Sequence, residues 1–221
     1  MTTRHSLGAG AAAPVACRLR ARGRAATCWA FCPPGGLATP PLAAAADDFC
    51  TSVAVGKDVI PRLSLAALDK LLDGVVVALA RAARSGPATL ASLACRHRFK
   101  PGWDDDLFMD ADALPEAAAA ALPAFRAAPS ATPRGRTLEP LGRLLFVRRV
   151  KGRLPAATDA GGRELREAFD AVWAPRGALL AEGVLVSKRA VTDHFVSTLL
   201  VALEAAAAHA EEREARLAGG R

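Results

Sequence analysis

The hexapeptide His5-Ser6-Leu7-Gly8-Ala9-Gly10 sets the tightest limit on how this chain folds. Helix-forming residues run over 9–22 and stop at Gly23, so the segment reads as the end of a strand, a sharp turn and a helix. In such a turn the serine hydroxyl is pushed above the sheet, and small residues flank it because strand and helix approach closely. The usual pattern is Gly-x-Ser-x-Gly; Arg4 stands here at the first glycine position, with only Met1, Thr2 and Thr3 before it. Ser6 would begin the helix, where free amide groups and the helix dipole favour a developing negative charge.

The 221 residues are 52% hydrophobic and 23% charged, enough for one sizeable domain with a buried core. Much of the apolar content is alanine, in runs at 11–13, 43–46, 117–121 and 205–208, and alanine buries little area per residue. The net charge of +7 and a pI near 9.7 would suit an anionic surface. The basic residues are dispersed between Arg18 and Arg153, however, without interleaved aromatics or a recognition-helix pattern, so nucleic acid is not an expected partner. Cys17, Cys28, Cys32, Cys50 and Cys95 form an odd set without a Cys-x-x-Cys pair; reduced, mostly buried thiols are expected, not a zinc site or a disulfide framework. Asp104, Asp105 and Asp106 read as a solvated acidic run, since consecutive carboxylates lack the ligand spacing of a calcium loop. No metal and no cofactor are expected. The best apolar runs, 75–83 and 178–186, fall short of the roughly 20 residues that cross a bilayer. Residues 1–46 carry arginines and no acidic residue, the composition of a transit peptide, but the ordered structural signals that begin at Ser6 argue for a folded segment.

Thr27-Cys28-Trp29-Ala30-Phe31-Cys32 is a compact apolar run closed by Pro33-Pro34-Gly35-Gly36, a buried strand and its turn. A second such run over 49–55 is closed by Gly56-Lys57-Asp58, which puts Asp58 just past a strand's carboxyl end, where open α/β sheets gather their functional groups. Residues 65–84 show helical spacing and end at Ser85-Gly86-Pro87. The pattern dissolves over 94–136, which reads as a surface insertion. Strand character resumes over 143–150, 152–162 reads as a loop, 164–173 as a short helix, 178–186 as a region containing a strand, and 191–217 as the final helix.

Four segments together resemble a known family. They are the Ser6 hexapeptide, Phe31-Cys32-Pro33-Pro34-Gly35-Gly36-Leu37, Val55-Gly56-Lys57-Asp58-Val59-Ile60-Pro61-Arg62-Leu63-Ser64, and more weakly Leu138-Glu139-Pro140-Leu141-Gly142-Arg143 with Asp193-His194. In order and spacing they are similar to the class 3, or fungal-type, lipases, and within them to the sn-1-specific diacylglycerol lipases; the likeness is close over 4–75 and loose over 138–205. The resemblance implies an incomplete α/β-hydrolase fold: a mostly parallel sheet flanked by helices, lacking the N-terminal strands, so that the chain corresponds to the C-terminal part of a catalytic domain. On that reading residues 1–205 are the partial domain, 94–136 its insertion and 206–221 a charged helical tail. In the family the lid and the loop giving a second oxyanion donor precede the elbow.

The resemblance also implies a Ser6, Asp58, His194 triad, with the Leu7 backbone N–H as an oxyanion-hole donor, in the chain order that α/β-hydrolase mechanics requires. The implied substrate is an acylglycerol at a membrane or lipid interface, hydrolysed through an acyl-enzyme, with the protein bound peripherally. The alternative is a catalytically inactive remnant that binds lipid or a partner chain. Each residue also has a plainer reading: Ser6 as a solvated terminal residue, Asp58 as a turn residue, and His194 as a capping or surface residue. Asp193 is an alternative partner for His194 or an N-cap. His5, His97 and His209 read as structural or solvent-facing.

Overall fold

A computed structural model describes residues 1–81, 138–150, 157–158, 164–165 and 168–219. Two compact units divide the chain, one comprising 1–67 with 135–221 and the other 68–134. The expected insertion over 94–136, with Asp104 to Asp106, Cys95 and His97, lies outside the described residues.

In the first unit the elements follow in the order β1 (Thr2–His5), α1 (Leu7–Ala21), β2 (Cys28–Phe31), α2 (Pro40–Ala44), β3 (Cys50–Val55) and a 3-10 turn (Ile60–Arg62). Helix α3 (Leu65–Ala80) begins there and makes up most of what is described of the second unit. After it come β4 (Arg143–Arg149), the short pair β5 (Ala157–Thr158) and β6 (Glu164–Leu165), β7 (Phe169–Ala174), α4 (Ala178–Glu182), α5 (Arg189–Thr192) and α6 (Val196–Gly219).

The main sheet has the order β1-β2-β3-β4-β7. Its first four strands are parallel, with Thr2 opposite Cys28, Cys28 opposite Cys50 and Thr51 opposite Arg143. The last, β7, is antiparallel to β4, with Arg149 opposite Phe169. This is a mostly parallel, mixed α/β sheet with flanking helices. Because side chains alternate along a strand, Cys50 and Ala54 of β3 face one layer while Val53 and Val55 face the other.

The two layers are built differently. On one face α1 buries Ala9, Ala13 and Ala16, one stripe at helical spacing, against Cys28, Ala30, Cys50 and Leu141. Small side chains on both surfaces let the helix lie close to the sheet. On the other face α6 buries Leu199, Ala202, Ala205 and Ala206 against Val53, Val55, Val147 and Phe169. The exposed far end of α6 carries its charges, with Arg216 paired to Glu212 at 3.8 Å. Cys28, Cys32 and Cys50 are buried free thiols and Cys17 is partly buried.

Four local expectations are corrected. The helix expected over 164–173 is replaced, among the described residues, by β6 at 164–165 and β7 from Phe169, because Phe169, Val172 and Trp173 favour a pleated surface and the free edge of β4 supplies ladder partners. The exposed Trp173 is covered by the Arg143 guanidinium, 3.7 Å from its ring centroid. Residues 178–182 are a helix instead of a strand; Ala178-Leu179-Leu180-Ala181-Glu182 consists of strong helix formers, and Gly183, at φ 81°, ends it. Residues 157–158, inside the expected loop, pair with 164–165. The final helix is broken in two, α5 and α6, at 193–195. No helix among the described residues is long and apolar enough to cross a membrane.

Candidate active site

Ser6 occupies the junction of β1 and α1 at φ 57° and ψ −130°, a backbone conformation that non-glycine residues rarely adopt. Strain of this kind costs on the order of 1–3 kcal/mol and persists only where the surroundings impose it. Here the Ser6 N–H donates to Phe31 O of the neighbouring strand at 2.9 Å, and the Gly10 N–H donates to Ser6 O at 3.0 Å to open the helix. A serine that starts a helix normally turns its oxygen onto the helix's free amides. Ser6 makes no such cap; its Oγ lies 2.8 Å from His194 Nε2. The Leu7 N–H, next in sequence to Ser6, is one of the helix's first amides, which have no intrahelical acceptor. Arg4 is exposed and lies beside Gly8, where a β-carbon would meet its Cβ at 3.7 Å and its Cδ at 3.8 Å, and its Nη1 donates to Thr3 O at 3.1 Å.

Asp58 follows β3 through a tight turn in which its N–H donates to Val55 O at 3.0 Å. Gly56 makes that turn at φ 48°, and a β-carbon there would collide with Asp193 Oδ2 and lie 2.8 Å from Arg149 Nη1, so glycine is required twice over. The Asp58 carboxylate is fully buried, accepts the Ile60 N–H at 2.9 Å and meets His194 Nδ1 at 3.0 and 3.1 Å. An ionised carboxylate only accepts, so Nδ1 carries the proton and Nε2 is left as the acceptor for the Ser6 hydroxyl.

His194 sits in the break between α5 and α6, with 19% of its side chain exposed. What holds that break is Asp193. Its buried carboxylate accepts the Lys57 N–H at 2.8 Å and Arg149 Nη1 at 2.6 Å. Asp193 is therefore neither the partner of His194 nor an N-cap; it anchors the turn that carries His194 to the loop that carries Asp58. A second anchor is Arg62, a buried guanidinium that donates to Asp58 O at 2.8 Å and Gly56 O at 3.0 Å and pairs with Glu182 at 2.8 Å. Sequence reasoning missed Arg62 as an anchor and weighed Asp193 only as a partner of His194 or an N-cap. Arg62 had a local signal, four residues beyond Asp58 and just after Pro61; Arg149 and Glu182 had none.

The structure thus brings Ser6, Asp58 and His194 together. It also brings in two residues that the sequence reading left aside. His5 lies with its ring centroid 4.7 Å from that of His194. Burial first, and then the neighbouring His194, lower its pKa, against the opposing influence of the His194 backbone and Asp58. Cys32, at φ 49° after β2, is fully buried, and burial followed by the Asp58 charge pushes its thiol up. His209 lies far along α6, away from this constellation in sequence, and His97 lies outside the described residues.

Over 73 residues, 31% of this chain, the sequence is 41% identical to diacylglycerol lipase-alpha of Homo sapiens, and equally so to that of Rattus norvegicus. Over 67 residues, 30% of the chain, it is 46% identical to diacylglycerol lipase-beta of Mus musculus. The matches span only 7% and 10% of the length of those relatives. No family model matches the chain and no solved structure matches it. The chain therefore has a local sequence relationship to diacylglycerol lipases.

Proposed function

We propose that this chain carries the serine-hydrolase centre of a lipase that cleaves acyl esters of glycerolipids of the diacylglycerol type. The observation that carries the reading is the continuous contact from Asp58 through His194 to a serine held in a strained strand-to-helix turn, with separations of 3.0 and 2.8 Å. Ser6 Oγ attacks the ester carbonyl as His194 Nε2 takes its proton; the glycerol oxygen leaves with that proton, and water hydrolyses the acyl-enzyme by the same route. Asp58 fixes the imidazole tautomer and stabilises its charged form. The Leu7 N–H and the positive end of α1 face the developing oxyanion, and one such donor is worth about 2.7–4 kcal/mol.

A lipid-facing mouth is supported by exposed apolar side chains next to the triad in sequence: Leu7 beside Ser6, and Val191, Phe195 and Val196 around His194. On this reading the protein meets its substrate as a peripheral protein at a lipid surface. The domain is of the class 3 lipase type, of which the chain is the C-terminal part. Residues 1–205 belong to it, 94–136 are an insertion and 206–221 its charged helical end. An edge position for β1 among the described strands suits a sheet continued by a further strand.

The test is labelling of the purified, folded chain with a fluorophosphonate probe, together with hydrolysis of diacylglycerol in mixed micelles. Labelling at Ser6 that is lost in Ser6→Ala is the expected result. A folded protein that neither labels nor hydrolyses would instead be a remnant that binds lipid or a partner.

A further inference from the structure

β1 and β2 run parallel with His5 opposite Phe31, so His5 and Cys32 emerge from the same end of the sheet, and the turn between α5 and α6 brings His194 over them. One ligand atom from each of His5, Cys32 and His194 lies within 4.8 Å of the other two. Two imidazole nitrogens and a sulfur form a borderline-soft donor set that suits zinc. Tetrahedral zinc with bonds of about 2.0–2.3 Å needs ligand atoms roughly 3.3–3.7 Å apart, so binding draws the three side chains together from their present spacing.

One further feature suits a ligand set more than ordinary packing, and the Asp58–His194 contact already described is compatible with it. His5 Nε2 is buried and has no hydrogen-bond partner, a state that buried polar atoms seldom keep. His194 already directs Nδ1 at the Asp58 carboxylate, the arrangement that orients metal-binding histidines and leaves Nε2 to the ion. We propose that His5, Cys32 and His194 bind one zinc ion, with Ser6 Oγ or a water at the fourth position, and that the bound ion holds the site inactive. On binding, the Cys32 thiol releases its proton to solvent and the thiolate ligates; no electron is transferred. The ion also occupies the His194 nitrogen that would accept the Ser6 proton. The inhibition rests on the hydrolase reading above, whereas the metal site stands on its own geometry.

The experiment titrates the full chain, freed of metal, with Co2+ and then Zn2+. A single Co2+ should give tetrahedral ligand-field absorption and a thiolate-to-cobalt charge-transfer band, both displaced by Zn2+. Cys32→Ser should remove the charge-transfer band, and His5→Gln should weaken binding by at least about tenfold while the protein melts cooperatively. Fluorophosphonate labelling should fall with one equivalent of zinc, return with a chelator, and be insensitive to zinc in Cys32→Ser. An octahedral cobalt spectrum without the thiolate band, or equal zinc affinity in folded His5→Gln, would overturn the site. Tetrahedral cobalt binding in a protein that never labels would uphold the metal site and sink the hydrolase reading instead.

Discussion

At the scale of single residues, the site turns on which nitrogen of His194 carries a proton. Asp58, fully buried and accepting from both Ile60 N–H and His194 Nδ1–H, fixes that choice. Replacing it with asparagine keeps the shape but presents an amide that can donate to Nδ1, and the opposite tautomer leaves Nε2 unable to accept the serine proton. Asp58→Asn should therefore slow Ser6 labelling by about 10^4-fold, the cost of the wrong tautomer in a serine triad, with little change in melting temperature. A stopped-time labelling series compares the two proteins, and an unchanged rate would show that Asp58 does not act through His194. Ser6 and Asp58 were legible in the sequence because each sits in a local motif: a serine among small residues before a helix, and an acid after Gly56 at a strand's end. His194 had no such motif, and its neighbour Asp193 was an equally good acid on paper. Only the burial of Asp193 against Lys57 and Arg149 separates their roles.

At the scale of elements, strands β2 to β4 and helix α1 were readable from their apolar runs and their Pro and Gly boundaries, whereas β1, Thr2–His5, is polar and was marked only by the serine turn that follows it. Strand β7 was not readable. Its residues Phe169 to Ala174 carry no clear period, and the edge of β4 decides their state by offering hydrogen bonds that a short isolated helix would have to supply alone. Phe169 is the residue that makes this pairing pay: it is buried against Val147 and α6, with the Arg149 guanidinium 5.0 Å from its ring centroid. Phe169→Ala should destabilise the protein by about 3–5 kcal/mol, read as a shift of the urea midpoint at constant slope. A loss under about 1 kcal/mol would mean that β7 is not part of the core.

Across the whole molecule, the constellation depends on segments distant in sequence. Lys57 and Asp193 are 136 residues apart, and Arg149 reaches Asp193 from the end of β4. Asp193 is buried and accepts both the Lys57 N–H and the partly exposed Arg149 guanidinium, and removing such an acceptor costs about 1–3 kcal/mol. Asp193→Ala should lose that much stability and reduce Ser6 labelling, since the turn that seats His194 would come loose from the Asp58 loop. Asp193→Asn, which keeps one acceptor oxygen, should lose less of both. Equal melting temperatures for Asp193→Ala and the parent chain would refute the anchoring role. By itself the sequence determined the local units: the serine turn, the short strands and the acid after β3, all of which rest on residue type and spacing within a few positions. Only the tertiary structure decided that β7 is a strand, that the last helix breaks at His194, that Asp193 anchors while Asp58 meets the imidazole, and that His5 and Cys32 adjoin the serine turn. Those outcomes come from hydrogen bonds and buried charges between segments far apart in the chain, which no local pattern encodes.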